Sequence, residues 1–404
     1  MLRAIAEFEN AAAVLVGWPL ALPPSLLERF AEHVTIVVVL DEAELPAARA
    51  HLSATVPDHR LVLVPQPALL KFSRFGRRRG SRLAWTQDTR PWWVADRAGQ
   101  LALAADIVYE ANCPARECPS RRGSPWNRVV ADAMPFHLSR QLRQPYGFVS
   151  LVGSGGNFMT DGNGTAVFTS RLLRDNRNCL GLTGAALTTV LREQLGVRRA
   201  LVFDDPTNSS LEHVDLWAKF VGASTVLVAE AAPHDARAAA LDAAAARLAR
   251  EYRVLRVRVG PAGGAQHARC RRPLAPYLNS LILNERVYVP TLPKARAPGC
   301  AALAPDAQAD AAALAVYAAA LPHKEIIGVP SGPPAPWRAA DALHCRAAAI
   351  PAAAPAKLAM RRARGGACAT LAMNEALRAA VDGGCSREAR ARGIAAECSR
   401  LRVR

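Results

Sequence analysis

The sequence predicts an α/β fold, and three observations support this prediction. Short apolar runs typical of buried strands, such as residues 34–40 and 101–109, recur along the chain. Segments with the apolar spacing of a helix, such as residues 235–252, lie between them. The 404 residues are 51% hydrophobic and 21% charged, so the chain has enough apolar material for a large core. Alternating strands and helices are typical of α/β proteins.

The individual elements follow from local signals. Pro23 and Pro24 introduce a helix over residues 25–33, because proline suits the first helical turn. A glycine-rich turn at 153–156 separates two strands, and alternation of apolar residues with arginine at 254–259 indicates a half-exposed strand. The predicted strands are 34–40, 61–64, 101–109, 147–151, 165–168, 200–203, 225–228, 254–259, 281–290 and 325–329. The predicted helices are 25–33, 180–195, 235–252 and 307–321.

The composition changes near residue 351. No linker is evident before that point, so residues 1–351 are predicted to form a single domain. Residues 352–404 are rich in alanine, arginine, glycine and cysteine and carry little strand signal. This composition predicts an appended C-terminal tail, typical of a disordered segment.

The chain is strongly basic, with a net charge of +17 and a pI of about 10.2. Such a balance often indicates an anionic partner. Here 51 − 5 = 46 of the basic residues are arginine, and they concentrate at 74–82 and after residue 361. Alanine is abundant too, and a GC-rich coding bias would enrich both arginine and alanine. We therefore interpret the basic residues as a solvated charged surface and expect no nucleic-acid partner.

The cysteines leave the cellular compartment open. If one of the nine is a catalytic thiol, eight remain, and an even number permits disulfides in an exported protein. The first residues show no basic region, apolar run and cleavage site of a signal peptide. No uncharged apolar run of about 18 residues occurs, so no membrane span is expected.

Five segments combine acidic, aromatic or nucleophilic groups with turn-forming residues. Each alone is a common pattern, but their order and spacing together are specific. The segments are 85–93 (WTQDTRPWW), 153–162 (GSGGNFMTDG), 211–217 (LEHVDLW), 277–280 (YLNS) and 343–346 (LHCR).

In these segments the chain resembles the agmatine deiminase and Porphyromonas-type peptidylarginine deiminase family. The resemblance extends from about residue 8 to residue 351. It implies a single-domain, five-fold pseudosymmetric α/β propeller, the pentein-like fold of guanidino-group-modifying enzymes. The matching residues are Trp85, Asp88, Pro91, Trp92, Gly155, Gly156, Asn157, Asp161, Gly162, His213, Asp215, Leu278, Asn279, His344, Cys345 and Pro351.

The four catalytic residues that the resemblance implies suit guanidine chemistry. A guanidinium is a planar cation with five N–H donors, which the carboxylates of Asp88 and Asp215 can bind by charge-assisted hydrogen bonds. Its carbon is a weak electrophile, so a thiolate such as that of Cys345 is a suitable nucleophile. His213 can protonate the departing ammonia and then activate water. No metal or other cofactor is expected.

Five further residues are predicted to bind the substrate. Trp85 can cover the guanidinium with an aromatic face. The resemblance implies that Gly156, Asn157 and Asn279 line the site. Arg116 is the candidate to bind a terminal carboxylate of the substrate.

Four departures from the family pattern bear on the substrate. Gln87 replaces a common arginine, Arg90 replaces glycine or serine, and Ser154 replaces the glutamate of agmatine deiminases. Residues 341–343, which end with Leu343, replace the glycine-rich segment that precedes the His-Cys pair in agmatine deiminases. Ser154 and Leu343 favour the peptidylarginine branch.

The sequence therefore predicts a deiminase that converts peptidyl-arginine, or a small arginine derivative, into a ureido product and ammonia through a covalent cysteine intermediate. The first alternative is an agmatine deiminase that makes N-carbamoylputrescine. An alternative of another class is a basic binding protein on a catalytically retired fold, which would use residues 74–82 and the tail. The oligomeric state stays open.

Overall fold

The computed structural model describes residues 1–66, 83–109, 133–260, 274–294, 305–332, 336–337 and 341–353. In this part of the chain, seventeen strands form five sheets. The strands are β1 (Arg3–Ala4), β2 (Ala11–Gly17), β3 (Thr35–Asp41), β4 (Leu61–Gln66), β5 (Trp92–Ala95), β6 (Leu101–Tyr109), β7 (Tyr146–Gly153), β8 (Met159–Thr160), β9 (Thr165–Thr169), β10 (Arg199–Phe203), β11 (Ala218–Gly222), β12 (Thr225–Glu230), β13 (Arg253–Arg258), β14 (Leu281–Leu283), β15 (Arg286–Thr291), β16 (Glu325–Pro330) and β17 (Ala347–Pro351).

Helices connect these strands. The α-helices of the described residues are α1 (Pro24–Ala31), α2 (Leu45–Leu52), α3 (Thr86–Thr89), α4 (Met134–Gln141), α5 (Ser170–Leu180), α6 (Gly184–Leu195), α7 (Ala238–Leu248), α8 (Ala307–Ala320) and α9 (Leu343–Arg346). Single-turn helices α3 and α9 lie directly before β5 and β17.

All five sheets contain the same unit. Two strands pair antiparallel, and a helical connection leads from the second to a parallel third strand. The antiparallel pairs are β5–β6, β8–β9, β11–β12, β14–β15 and β17–β2. Two units carry an extra strand, β1 beside β5 and β4 beside β3. Five copies of one unit are the number that the predicted pseudosymmetry requires.

The two ends of the domain meet in one sheet. Strand β17 pairs antiparallel with β2, and Ala347 lies opposite Val16. The strand β2 is also parallel to β3, so the first unit is complete only when the end of the domain returns to its beginning. This pairing fixes the position of Cys345, which lies two residues before β17.

Apolar packing fixes the helices on the sheets. Helix α1 buries Leu26, Leu27 and Phe30, and the Phe30 ring packs edge-on against Tyr288 of β15 at 4.8 Å. Such burial stabilises the folded state by about 1.5–3 kcal/mol for each large apolar side chain. Helix α6 ends at Gly196, whose φ of +68° suits glycine, and a Cβ there would lie 2.1 Å from the Leu2 carbonyl oxygen.

Two predicted elements differ from the structure. The helix predicted over 180–195 is α6 and begins four residues later, at Gly184, because Gly181 adopts a left-handed conformation that ends the preceding helix α5 at Leu180. The single strand predicted over 281–290 is a hairpin, β14–β15, because Asn284 turns the chain with a φ of +53°. Strand β6 has the predicted bounds.

The described cysteines differ in state. Cys179, in α5, is disulfide-bonded, whereas Cys345 is a buried free thiol. Among the described residues, no helix combines the length and apolarity needed to cross a membrane. The division into a domain of residues 1–351 and a tail of 352–404 stays a prediction.

Candidate active site

The predicted site residues that the structure describes occupy equivalent places in the five units, just before the first strand of each unit. A short turn or single-turn helix holds each of them there. Asp88 precedes β5, Gly156 and Asn157 precede β8, His213 and Asp215 precede β11, Asn279 precedes β14, and Cys345 precedes β17. Repetition of one unit thus explains how residues distant in sequence meet.

Asn279 connects the thiol to one of the carboxylates. Its amide nitrogen donates to Cys345 Sγ at 3.3 Å and to Asp215 Oδ2 at 3.1 Å. Its amide oxygen accepts the backbone N–H of Cys345 at 3.2 Å, and its backbone oxygen accepts that of His344 at 2.9 Å. Asp215 Oδ2 lies 4.0 Å from Cys345 Sγ. Asn279 therefore positions the nucleophile relative to Asp215.

The thiol is strongly affected by its surroundings. Cys345 is buried, and this burial raises its pKa well above the usual value. The negative charges of Asp215, Asp88 and Asp341 raise the pKa further, whereas the hydrogen bond from Asn279 lowers it. A cation placed between the carboxylates and the sulfur would offset these effects and favour the thiolate.

The second carboxylate, Asp88, is hydrogen-bonded to the glycine-rich turn before β8. Its Oδ1 atom accepts hydrogen bonds from Ser154 Oγ at 2.9 Å and from the backbone N–H of Gly156 at 3.2 Å. His213 Nδ1 lies 3.6 Å from the same oxygen. The buried His213 and Asp88 side chains thus form the other half of the site.

Gly156 lies where these groups converge. A Cβ atom at this position would lie 2.6 Å from His213 Nδ1, 2.7 Å from Asp88 Oδ1 and 3.2 Å from Asp215 Oδ2. Contacts below 3 Å would displace the catalytic side chains. The structure therefore requires glycine here because of close approach.

The loop before β11 is tied to the glycine turn before β8. Asn157 Oδ1 accepts the backbone N–H of Thr169 at 3.0 Å, and Thr169 Oγ1 donates to the backbone oxygen of Glu212 at 2.6 Å. Glu212 has a φ of +51° and its side chain binds Arg174 at 2.9 Å. These bonds orient the next residue, His213. Asn157 thus supports the loop, and its contact with substrate stays a prediction.

Two departures from the family pattern contact each other. Arg90 Nε donates to Gln87 Oε1 at 2.9 Å, and Gln87 Nε2 donates to the Gly155 backbone oxygen at 3.2 Å. Burial lowers the pKa of Arg90 to about 10, although the charges of Glu7 and Asp88 oppose that shift. Through these hydrogen bonds, Gln87 and Arg90 together attach the glycine-rich turn to α3.

Trp85 and Arg116 are the remaining two predicted binding residues. Trp85 is 47% exposed and directly precedes α3, three residues before Asp88, so its indole is accessible to a ligand. Its stacking role stays a prediction. Arg116 lies outside the described residues.

Sequence reasoning assigned no role to several charged residues around the nucleophile. His344 is hydrogen-bonded to both Asp215 and Glu7, and Lys219 is hydrogen-bonded to Glu7. Arg346 is buried, forms a bidentate pair with Asp341 and donates to the Ala21 backbone oxygen. One available signal was Lys219, one of only five lysines, placed among the apolar residues that follow the His-x-Asp pair.

Comparison with known proteins agrees with this geometry. Residues 3–351 match the Porphyromonas-type peptidyl-arginine deiminase family. The chain belongs to this family. The family predicted from the sequence is thereby confirmed, and the predicted deiminase activity agrees with it.

Solved structures share the fold at low sequence identity. A substrate-bound agmatine deiminase variant of C. jejuni is 15% identical, with a TM-score of 0.64 over 88% of this chain and 97% of that one. The Enterococcus faecalis agmatine deiminase is 18% identical, with a TM-score of 0.60 over 87% and 96%. A Porphyromonas gingivalis structural-genomics target, proposed to be an arginine deiminase, is 20% identical, with a TM-score of 0.63 over 87% and 99%. These likenesses confirm the predicted fold class.

Proposed function

We propose that the chain is a guanidino deiminase in which Cys345 is the nucleophile. One observation carries this proposal: a buried thiol, two carboxylates and a histidine come from three units of the fold and meet around Gly156 and Asn279. Membership in the deiminase family supports the same reading.

Charge complementarity supports a guanidinium as the ligand. The carboxylates of Asp88 and Asp215 are both buried, and their oxygens lie around Gly156 and beside the Cys345 thiol. Asp215 Oδ1 is buried and lacks a hydrogen-bond partner in that same part of the chain. Such an oxygen costs about 1–3 kcal/mol unless a ligand satisfies it. A planar cation with several N–H donors would do so.

The chemical steps follow from these positions. Binding of the guanidinium lowers the pKa of Cys345, the thiol proton passes to His213, and the thiolate attacks the guanidinium carbon. His213 donates this proton to the leaving nitrogen, the C–N bond breaks and ammonia departs, which leaves a thiouronium on Cys345. His213 then takes a proton from water, the resulting hydroxide attacks the same carbon, and the C–S bond breaks. The hydroxyl proton of the product returns to the Cys345 sulfur, and the proton on His213 leaves with ammonia as ammonium. The products are the ureido compound and the restored thiol.

The substrate that we propose is arginine in a peptide or a small arginine derivative. Ser154 Oγ donates a hydrogen bond to Asp88, in the place where agmatine deiminases have glutamate. A glutamate there would add a negative charge beside Asp88, and serine does not supply it. We propose Arg116 as the residue that binds the carboxylate of such a substrate and Trp85 as the residue that covers its guanidinium.

The test is a ureido and ammonia assay with agmatine, free arginine, a peptide with C-terminal arginine and its amide. We expect turnover of arginine compounds and a loss of about 10⁴-fold or more in Cys345→Ala, as for removal of other enzymatic nucleophiles. The replacement leaves only a small cavity, so the unfolding midpoint should change little. Turnover that persists in Cys345→Ala would refute the nucleophile, and consumption of agmatine alone would refute the substrate class.

The same protein preparation tests the alternative that the chain is a basic binding protein without catalytic activity. A basic binding protein would form no ureido product from any compound and would bind DNA with an affinity that falls steeply with salt. Ureido formation together with absent DNA binding would exclude it.

A further inference from the structure

A chain of charged side chains extends inward from Asp215. Asp215 Oδ2 lies 2.7 Å from His344 Nδ1, and His344 Nε2 lies 2.5 Å from Glu7 Oε2. Glu7 Oε1 accepts a hydrogen bond from Lys219 Nζ at 2.5 Å. All four residues also line a cavity of about 30 Å³ together with Arg90. They come from three segments that are far apart in sequence.

The hydrogen-bond geometry defines the protonation of the histidine. An ionised carboxylate only accepts hydrogen bonds, and a neutral imidazole has one N–H donor. Both ring nitrogens of His344 face carboxylate oxygens, so both must donate if the carboxylates are ionised. Glu7 Oε1 also accepts the N–H of Ile282, and Asp215 Oδ2 accepts the amide of Asn279. Each carboxylate is therefore surrounded by donors, as an ionised group requires.

We propose that His344 is a constitutive imidazolium and that Glu7 maintains it as a positioning residue for Asp215. The imidazolium holds Oδ2 of Asp215 and leaves Oδ1 for the substrate. The consequence for catalysis rests on the proposed function, but the charge of His344 does not.

The surrounding charges agree with this assignment. Burial by itself lowers the pKa of His344, but Glu7 and the hydrogen bonds of Asp215 and Glu7 outweigh it and raise the pKa. Lys219 opposes that rise. Burial raises the pKa of Glu7, yet His344 and Lys219 together lower it below its usual range. Arg90 is the other cation whose charge acts on Glu7 and Lys219.

A neutral His344 would leave Asp215 poorly oriented. One ring nitrogen would then present a lone pair to a carboxylate at hydrogen-bonding distance, which is repulsive. Either Asp215 or Glu7 would have to rotate or take up a proton. Because both ring nitrogens of His344 face carboxylate oxygens, we expect Asp215 to keep its orientation as the pH rises through neutrality, and the raised pKa of His344 agrees with this.

The direct test is nuclear magnetic resonance of the full chain with ¹⁵N-labelled histidine, from pH 6 to pH 8.5. We expect one of the nine histidines to keep both ring nitrogens protonated at pH 8.5 and its signals to vanish in His344→Gln. If that variant does not fold, ring-to-backbone correlations assign His344. A neutral tautomer of His344 at pH 8 would overturn the proposal whether or not the chain deiminates anything.

The kinetic test compares Glu7→Gln with Glu9→Gln. The first removes the charge that maintains the imidazolium, so KM for the guanidino substrate should rise about tenfold more at pH 8.5 than at pH 6. Glu7→Asp should restore part of the effect. Glu9 pairs with Arg3 at 2.6 Å away from the site, so Glu9→Gln should match the unmodified chain. A loss in Glu7→Gln that is equal at both pH values would contradict the positioning role.

Discussion

The carboxylates of Asp88 and Asp215 have the same predicted task, but the fold supports them differently. Asp88 accepts hydrogen bonds from uncharged donors, Ser154 and Gly156. Asp215 is held by His344 and Asn279, and through His344 it joins a buried chain of alternating charges. We therefore expect substrate binding to need both carboxylates and the stability of the folded chain to depend on them unequally.

The largest difference should appear in asparagine variants of the two carboxylates. Asp88→Asn and Asp215→Asn should each lower kcat/KM by about 10²-fold or more, because each removes charge complementarity to the guanidinium. Only Asp215→Asn should also lower the free energy of unfolding by about 3 kcal/mol, since it removes one of the two carboxylates that pair with the buried His344 cation. Asp88→Asn should cost about 1 kcal/mol or less.

The measurements are steady-state kinetics and urea unfolding on the same preparations. The linear dependence of the unfolding free energy on urea gives the stability difference directly. Equal losses of stability in the two variants would show that the charged chain does not distinguish Asp215 from Asp88.

A methyl group at Gly156 should affect both carboxylates together. The new Cβ would clash with His213 and Asp88 and press on Asp215, so Gly156→Ala should lower kcat/KM by about 10–100-fold, as small displacements of catalytic groups do. Gly184→Ala is the matched control because a Cβ there meets only open space. Near-normal kcat/KM in Gly156→Ala would mean that the site is less crowded than the structure indicates.

The smallest effect should come from Ser154→Ala, which acts on Asp88 alone. It removes one neutral hydrogen bond worth about 1 kcal/mol, while the Gly156 N–H still binds the same oxygen. We expect a loss of about fivefold in kcat/KM and a nearly unchanged unfolding midpoint. A loss as large as that of Asp88→Asn would assign Ser154 a direct part in the chemistry.

Long apolar runs made most of the central and third strands of the units predictable, although the central strand β2 was missed. Strands β3, β6, β12 and β13 all lie within one or two residues of their predicted bounds. The first strands were not predicted: β5, β8, β11 and β17 are two to five residues long, and β14 was merged with β15. Such short segments show too little periodicity to be recognised.

The site could be predicted because its chemistry is concentrated in short motifs directly before those strands. Cys345, Asp215, Asn279, Gly156, His213 and Asp88 meet as the resemblance implied. The support of the site could not be predicted from local sequence. Glu7 and Lys219 are separated by more than 200 residues, and each helps to compensate the buried charge of the other.

The sequence by itself determined the alternation of strands and helices, the family and the order of the chemical groups, because these depend on local periodicity and short motifs. Only the tertiary structure decided which charges share a buried site. Pairing of β17 with β2 brings His344 to Glu7 across 337 positions of the chain. Charges that distant are stabilised by their mutual contacts after folding, and no local pattern records those contacts.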